Sequence, residues 1–156
     1  YKTIKCLCVG PKENLGALAK KYNVLNNVVI TGKIPLKNDI NQQQPYADLI
    51  NAYRSANLYI STSYVESFGN AAAEALACGI PVIVGQKHGV RDIIIEEKTG
   101  WTMPQENANS LAELIISLYE KRESILKEKE RIKESVSHLT WQNIALQTVE
   151  VYKSML

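Results

Sequence analysis

Two carboxylate residues, Glu66 and Glu74, lie on either side of a Gly69-Asn70 step that opens an alanine-rich segment. Alanine has the highest intrinsic helix propensity, so a helix is predicted to begin at this step. The first turn of a helix carries about four unpaired N–H groups and the positive end of the helix dipole, which together favour a phosphate group. A carboxylate accepts hydrogen bonds from both hydroxyls of a sugar diol. The spacing therefore predicts either a site for a sugar diphosphate or an ordinary helix start capped by Ser67 or Asn70.

The sequence around Glu74 is almost entirely small and apolar, namely Ala71, Ala72, Ala73, Ala75 and Ala77. This predicts close packing on all sides of Glu74, and a packed carboxylate usually has a partner. A hydrolase that uses Glu66 and Glu74 as its acid and base is therefore not favoured, because Glu74 is expected to lie away from water.

Short apolar runs at regular intervals predict the strands that support this turn. They lie at residues 4–9, 28–30, 58–60, 82–84 and 101–103. Helical spacing of apolar residues predicts helices at residues 15–22, 49–53, 69–78, 91–94, 110–118 and 141–152. This alternation is typical of an α/β domain, here a Rossmann-like parallel sheet with helices on both faces. In such sheets the ligand binds beyond the carboxyl ends of the strands, which here are Gly10, Gly32 and residues 61–68 and 85–91.

Three smaller signals refine this outline. The polar segment 35–45 is predicted to be a mobile loop. Ser110 and Glu113 have the spacing of a capping box in front of the apolar face of the next helix. Basic and acidic residues alternate in segment 121–135, which is more typical of a solvated helix with ion pairs than of a binding patch.

The composition excludes several classes of protein. Hydrophobic residues make up 46% of the 156 residues and charged residues 22%, so a single domain with its own core is expected. The net charge of +2 gives no indication of a nucleic-acid partner. Three cysteines and two histidines lack metal-ligand spacing, which predicts no metal site and, with reduced thiols, an intracellular location. No apolar run approaches the ~20 residues of a membrane-spanning helix.

The block that runs from Glu66 to Ile83 reads ESFGNAAAEALACGIPVI. It resembles the Glu-x7-Glu signature of retaining glycosyltransferases with the GT-B fold, of the broad family 4 (glycosyltransferase group 1). Further positions agree with this resemblance along nearly the whole chain, namely Val9-Gly10, residues 28–32 and 49–56, Ser63, Gly89, Thr99-Gly100 and residues 141–152. The resemblance implies that the chain is the C-terminal, donor-binding domain of such an enzyme.

The resemblance implies a reaction as well. These enzymes transfer a sugar from a nucleotide diphosphate donor, such as a UDP- or GDP-sugar, to an acceptor with retention of the anomeric configuration, usually without a metal or another cofactor. The acceptor, a glycan or a lipid-linked molecule, is held by a separate N-terminal domain. Fixed amides that stabilise the leaving diphosphate are then the main contribution to catalysis. Two alternatives stay open: a non-catalytic module that binds a nucleotide sugar, and a GT-B relative such as an epimerase.

The roles of individual residues also follow from the resemblance. Glu66 contacts the donor sugar as the catalytic residue, while Glu74 binds the hydroxyls of the ribose. Lys33 and Ile34 line the base, and Gly89 is a further donor-binding position. The backbone amides that hold sugar hydroxyls and phosphate are those of Phe68, Gly69, Asn70 and Ala71.

The chain departs from the family pattern after its fourth predicted strand. Where the family often has Gly-Gly-x-Pro-Glu, this chain has His88-Gly89-Val90-Arg91-Asp92. Arg91 is expected either to add positive charge at the phosphates or to pair with Asp92. His88 is expected at the surface, with a hydrogen bond to a phosphate or sugar hydroxyl as the alternative.

A second departure lies at the N-terminus. Against the family pattern, residues 1–156 correspond to a single donor-binding domain without its first strand and helix, which would carry a basic Arg–Lys pair for the diphosphate. The isolated chain is therefore expected to have little or no transferase activity. The missing strand would leave a sheet edge unpaired, so a dimer across that edge is a further expectation, as is exposed apolar surface beside Trp141. A cytoplasmic location, with peripheral membrane attachment as an open alternative, follows from where nucleotide sugars are made.

Overall fold

The structure is a computed structural model, and it describes residues 3–10, 14–35, 46–103 and 107–155. The chain divides into two compact units, Tyr1–Ala56 and Asn57–Leu156. Within the described residues the strands form two parallel sheets, one in each unit. The prediction of one donor-binding domain over residues 1–156 stays a prediction.

The N-terminal unit consists of strands that alternate with helices. Its elements are β1 (Cys6–Val9), α1 (Leu15–Lys21), a short 3-10 turn (Leu25–Asn27), β2 (Val28–Gly32) and α2 (Ala47–Arg54). The two strands are parallel, with Cys6 opposite Val28 and Val9 opposite Gly32. These elements match the predicted ones, while residues 36–45, most of the predicted polar loop, lie outside the described residues.

Cys6 and Cys8 lie on the same side of β1, as their spacing of two residues predicts, and their sulfur atoms are 3.6 Å apart. Both are free thiols. Cys6 is exposed as a residue, but partial burial of its thiol, together with the neighbouring Cys8, raises the pKa of this thiol to about 11. This thiol therefore stays protonated at neutral pH, which makes it a poor nucleophile.

The C-terminal unit contains the turn between the two carboxylates. Its strands are β3 (Tyr59–Ile60), β4 (Val82–Gly85) and β5 (Gly100–Met103), all parallel and in the spatial order β3-β4-β5. Its helices are α3 (Asn70–Ala77), a 3-10 helix (Gly89–Ile93), α4 (Ala108–Glu120), α5 (Arg122–Lys127), α6 (Lys129–Ser135) and α7 (Trp141–Ser154). Parallel strands separated by helices confirm the predicted α/β, Rossmann-like class.

The core of the C-terminal unit is built around β4. All four residues of this strand are buried, so both of its faces are covered. Helix α3 packs against both β4 and α6, and Leu76 and Ile132 from these helices are fully buried. Gly79 ends the helix with a φ of +77°, and a Cβ atom there would lie 2.8 Å from the carbonyl oxygen of Lys129. The close approach of α3 to α6 therefore requires glycine at this position.

The start of α4 differs from its prediction. The side-chain oxygen of Asn107 accepts a hydrogen bond from the N–H of Ser110 at 3.0 Å, so Asn107 is the N-cap. The prediction of a capping box that begins at Ser110 is therefore wrong, because the helix already starts at Ala108. Spacing alone did not decide between two residues that both cap helices well.

The last three helices lie largely at the surface. In α6 the Glu130 carboxylate pairs with the Lys133 ammonium at 2.6 Å, as expected for a solvated helix with ion pairs. Helix α7 is exposed along its whole length, and Trp141 at its start is 87% exposed, as predicted. None of the helices in the described part of the chain combines the length and apolar character that a membrane crossing requires.

Candidate functional site

A cavity of about 360 Å³ lies at the start of α3, within the C-terminal unit. Its volume falls in the range of small-molecule sites. Its walls come from Tyr59 and Ser61 at the end of β3, from residues 66–72 and from His88 after β4. Five predicted site residues therefore lie together in one wall: Glu66, Phe68, Gly69, Asn70 and Ala71. The cavity lies beyond the carboxyl ends of two adjacent parallel strands, where ligands bind in this class of fold.

The first turn of α3 leaves a run of backbone donors without acceptors. Gly69 is the N-cap, with a φ of +94°, and its carbonyl oxygen accepts hydrogen bonds from the N–H groups of Ala72 (2.9 Å) and Ala73 (3.2 Å). No side chain caps the helix, so the expected cap by Ser67 or Asn70 is wrong. Within the described residues no acceptor faces the four preceding N–H groups, those of Phe68, Gly69, Asn70 and Ala71.

The loop before α3 is hydrogen-bonded through its backbone to the segment that follows β4. The N–H of Gly89 donates to the carbonyl of Glu66 at 3.2 Å, and the N–H of Val90 donates to the carbonyl of Phe68. Gly89 leaves no room for a side chain, since a Cβ atom there would overlap the carbonyl oxygen of Ser67. These backbone bonds hold the Glu66 loop and its amides in one position.

His88 lies inside this junction and not at the surface, so the surface expectation for it is wrong. Its side chain is 3% exposed, and its Nε2 lies 2.7 Å from the carbonyl oxygen of Ser63. Because a carbonyl only accepts hydrogen bonds, Nε2 carries the hydrogen. The other ring nitrogen, Nδ1, is buried and has no partner among the described residues. A tight turn, in which the N–H of His88 donates to the carbonyl of Gly85, brings the ring beneath the Ser63 loop.

Glu74 is exposed, which corrects the prediction that it is packed on all sides. The helical repeat explains the difference: Ala72, Ala75 and Leu76 form the buried face of α3. Ala71, Glu74 and Ala77 are spaced three residues apart and form an exposed face. Neighbouring alanines in the sequence therefore predict that the segment is helical, but they do not predict that every position in it is buried.

Tyr59 and Ser61 were not identified from the sequence. They are two residues apart at the end of β3, so their side chains share one face, and both line the cavity. Burial raises the pKa of the Tyr59 phenol, and the negative charges of Glu66 and Glu74 raise it further, while a hydrogen bond with Ser61 lowers it. The phenol therefore lies within electrostatic range of both carboxylates. The signal in the sequence was a pair of polar groups at alternate positions of a strand just before the glycine turn.

The remaining predicted residues lie outside the cavity wall. The Arg91 guanidinium donates to the carbonyl of Gln86 at 2.9 Å, and both Arg91 and Asp92 are exposed. Lys33 and Ile34 directly follow β2 in the N-terminal unit, where Lys33 is exposed and Ile34 half-buried. Their predicted contacts with phosphate and base stay predictions.

The part of the chain that the structure describes holds no cluster of three or more His, Cys, Asp or Glu side chains arranged to bind a metal ion. The residues that line the cavity carry backbone N–H groups, hydroxyls, a carboxylate, a side-chain amide and an imidazole. The chemistry of such a set is suited to a ligand that carries both anionic oxygens and hydroxyls.

Structural comparison relates the fold of this chain to known proteins. Sucrose-phosphate synthase from Thermosynechococcus elongatus superposes with a TM-score of 0.75 at 29% identity, covering 96% of this chain and 38% of that one. The crystal structure of Anabaena HepE in complex with UDP-glucose superposes with a TM-score of 0.74, covering 96% of this chain and 41% of that one. At 19% identity this second likeness shows the fold alone.

Sequence comparison gives the family. An uncharacterized glycosyltransferase of Methanocaldococcus jannaschii is 37% identical over 105 residues, which are 65% of this chain and 26% of that protein. The chain thus spans between 26% and 41% of the length of these three proteins. A sequence profile of the family described as "Glycosyl transferases group 1" matches residues 1–137. The chain therefore belongs to the group 1 glycosyltransferases, in agreement with its GT-B-type, Rossmann-like fold.

Proposed function

We propose that this chain binds a nucleotide diphosphate sugar, and that the cavity at the start of α3 holds the sugar and the diphosphate. The observation that carries the proposal is the run of four consecutive N–H groups without an acceptor in the described residues, next to the Glu66 carboxylate. Four fixed donors at a positive helix end favour phosphate oxygens without any cationic side chain. The complex of HepE with UDP-glucose, a protein of the same fold, supports the same class of ligand.

Each polar group then has a role in binding. Glu66 accepts hydrogen bonds from the donor sugar, and Glu74, on the exposed face of α3, accepts those of the ribose diol. The amides of residues 68–71 bind sugar hydroxyls and phosphate. Gly89 keeps the loop close enough for these contacts, and Lys33 with Ile34 lines the base.

In the whole protein we infer a retaining transfer of the family 4 type. As the bond between sugar and phosphate breaks, its electron pair stays with the diphosphate, and the fixed amides stabilise the charge that grows there. No metal is needed in this scheme, so a chelator is expected to leave donor binding unchanged. The acceptor, a glycan or a lipid-linked molecule, is bound by a part of the protein outside this chain. Without that part the chain is expected to bind its donor and to show little or no transfer.

Two further parts of the proposal concern the cellular location and the oligomeric state of the protein. Nucleotide sugars are cytoplasmic metabolites, so a cytoplasmic location is proposed, with peripheral membrane attachment as the alternative. Association of two copies through a sheet edge also remains a proposal, because strand edges with unpaired N–H and C=O groups invite pairing. Sedimentation of the purified chain over a range of concentrations tests the second point.

Saturation-transfer NMR with UDP, GDP and ADP tests donor binding. The wild-type chain is compared with Glu74→Ala and with Glu113→Ala, an exposed glutamate of α4 that serves as the control. We expect transfer to one nucleotide, its loss in Glu74→Ala, and its retention in Glu113→Ala. Equal transfer in both variants would contradict the role of Glu74, and no transfer to any nucleotide would contradict donor binding by this chain.

A further inference from the structure

His88 carries a hydrogen-bonding group that the fold itself leaves unused. The residue is 3% exposed, and its Nδ1 is the one buried side-chain nitrogen or oxygen atom without a hydrogen-bond partner in the described part of the chain. His88 is also one of the residues that line the cavity at the start of α3. Because a buried polar atom without a partner costs free energy, nearly all such atoms in folded proteins are paired. A partner for Nδ1 is therefore expected from outside the chain.

The tautomer of the His88 ring decides which partner Nδ1 can take. Nε2 lies 2.7 Å from the carbonyl oxygen of Ser63, and since a carbonyl only accepts hydrogen bonds, Nε2 carries the hydrogen. A second hydrogen, on Nδ1, would turn the ring into a buried cation, and residues 3–10, 14–35, 46–103 and 107–155 offer that hydrogen no acceptor. In the neutral ring Nδ1 presents a lone pair. The missing partner is therefore a hydrogen-bond donor.

The backbone places His88 beside Glu66. The two residues lie opposite each other in a short parallel bridge, and the N–H of Gly89 donates to the carbonyl of Glu66 at 3.2 Å. Both residues line the same cavity, whereas Glu74 lies on the exposed face of α3. Under the proposed function the donor sugar lies at Glu66 and the ribose at Glu74. His88 then belongs to the sugar end of the site.

We propose that Nδ1 of His88 accepts a hydrogen bond from a hydroxyl of the donor sugar. The phosphate oxygens of a nucleotide sugar are ionised at neutral pH and have no hydrogen to donate, whereas each sugar hydroxyl has one. Nδ1 is buried, so a hydroxyl reaches it only after a small shift of the cavity wall, and the bond forms when the sugar binds. This assignment rests on the proposed function and adds a sugar contact from outside the Glu-x7-Glu block.

Two variants of His88 separate the roles of its two nitrogens. In His88→Gln the side-chain amide nitrogen reaches the place of Nε2 and still donates to the Ser63 carbonyl, while no acceptor remains at the place of Nδ1. In His88→Asn the shorter side chain offers an amide oxygen near the place of Nδ1 and loses the donor to Ser63. His138→Gln is the matched control, because His138 is exposed and lies outside the cavity wall.

Calorimetry gives the dissociation constants of UDP, GDP and ADP, and then of the glucose, galactose, mannose and N-acetylglucosamine conjugates of the nucleotide that binds. The quantity compared is the affinity of the best conjugate divided by that of its free nucleotide. Loss of one neutral hydrogen bond is expected to lower this ratio about threefold to tenfold in His88→Gln. The ratio is expected to persist in His88→Asn and in His138→Gln.

The outcomes distinguish this assignment from the proposed function. If the wild-type chain binds none of the nucleotides, or none of the conjugates, the proposed function fails and the assignment fails with it. If a conjugate binds and His88→Gln keeps the wild-type ratio, the assignment alone is overturned. A ratio that falls equally in His88→Gln and His88→Asn also overturns it, because the loss then does not follow the acceptor at Nδ1.

Nitrogen-15 NMR of the wild-type chain tests the assignment without relying on the folding of a His88 variant. His138→Gln, changed at an exposed position, shows which ring resonances belong to His88. We expect Nδ1 to carry no hydrogen, and its resonance to move towards that of a hydrogen-bonded nitrogen when the nucleotide sugar binds. A hydrogen found on Nδ1, or the same movement with the free nucleotide, would overturn the assignment, since either result indicates a contact with phosphate and not with a sugar hydroxyl.

Discussion

The two sheets of the molecule differ in how much of each strand is exposed. In the C-terminal unit every residue of β4 is buried, and Val82, Ile83 and Val84 have no exposed surface at all. In the N-terminal unit β1 is exposed at three of its four residues, and Val29 of β2 is 55% exposed. The candidate site is attached to the buried sheet, because the Glu66 loop follows β3 and His88 follows β4. A fully covered strand gives these loops a fixed base, which a site made of backbone amides requires.

The largest expected effect is on the free energy of unfolding, when one valine in each sheet is shortened to alanine. Val82→Ala deletes two buried carbons in the covered sheet and is expected to lower the free energy of unfolding by about 2–3 kcal/mol. Val29→Ala removes the same atoms from an exposed position, and about 0.5 kcal/mol is expected there, mainly through lower β propensity. Urea unfolding followed by far-ultraviolet circular dichroism measures both. Equal losses in the two variants would contradict the difference between the sheets.

A second comparison uses glycines. Gly89→Ala places a Cβ atom onto the carbonyl oxygen of Ser67, so the loop must move, at a cost of about 1–3 kcal/mol. Gly16, in α1, has no atom within 4 Å of a new Cβ, and Gly16→Ala is expected to stabilise the chain by about 0.5–1 kcal/mol.

Thermal unfolding and nucleotide titration of the two glycine variants measure their effects on stability and on nucleotide binding. Gly89→Ala is expected to lose nucleotide binding at least tenfold, because the amides of residues 68–71 shift with the loop. Gly16→Ala is expected to bind as the wild type does. Unchanged binding by Gly89→Ala would show that the position of the loop does not matter for the ligand.

The smallest expected effect compares two tyrosines: Tyr64, which lies outside the cavity wall, and Tyr59, which lines the cavity. The Lys87 ammonium donates to the Tyr64 hydroxyl at 2.9 Å, and this hydrogen bond, with the lysine charge, lowers the pKa of Tyr64. Lys87→Met therefore raises the pKa of Tyr64 back towards 10.0, whereas the pKa of Tyr59, above 10.0 in the cavity, stays where it is. Tyrosine ring NMR across alkaline pH follows both phenols. A Tyr64 titration that is identical in the two chains would contradict the contact.

Much of the site could be predicted because its groups are local in the sequence. A glycine before an alanine-rich helix fixes both the helix start and its unpaired amides, and the structure has them at Phe68 to Ala71. The fold class followed in the same way from alternating apolar runs. The spacing predicts a cap of α4 at Ser110, whereas the structure has it at Asn107. Either residue type caps a helix, and only tertiary contacts choose between them.

The parts that could not be predicted depend on contacts between distant segments. His88 is buried because the loop that follows β3 covers it, through a hydrogen bond to Ser63, 25 residues away. Glu74 is exposed because the buried face of α3 is chosen by β4 and α6, which lie later in the chain. Tyr59 belongs to the cavity because β3 ends beside the first turn of α3. No local pattern contains the first two facts, and for Tyr59 the sequence holds only the alternate spacing of two polar residues, Tyr59 and Ser61.

The backbone amides themselves offer the most direct test of a donor site at the start of α3. Amide chemical shifts of the isotope-labelled chain are recorded while UDP, GDP or ADP is added. We expect one nucleotide to shift the amides of Phe68, Gly69, Asn70 and Ala71 by the largest amounts, while that of Gly16 stays in place. Binding that leaves these four amides unmoved, or an absence of binding by all three nucleotides, would contradict a donor site at this helix start.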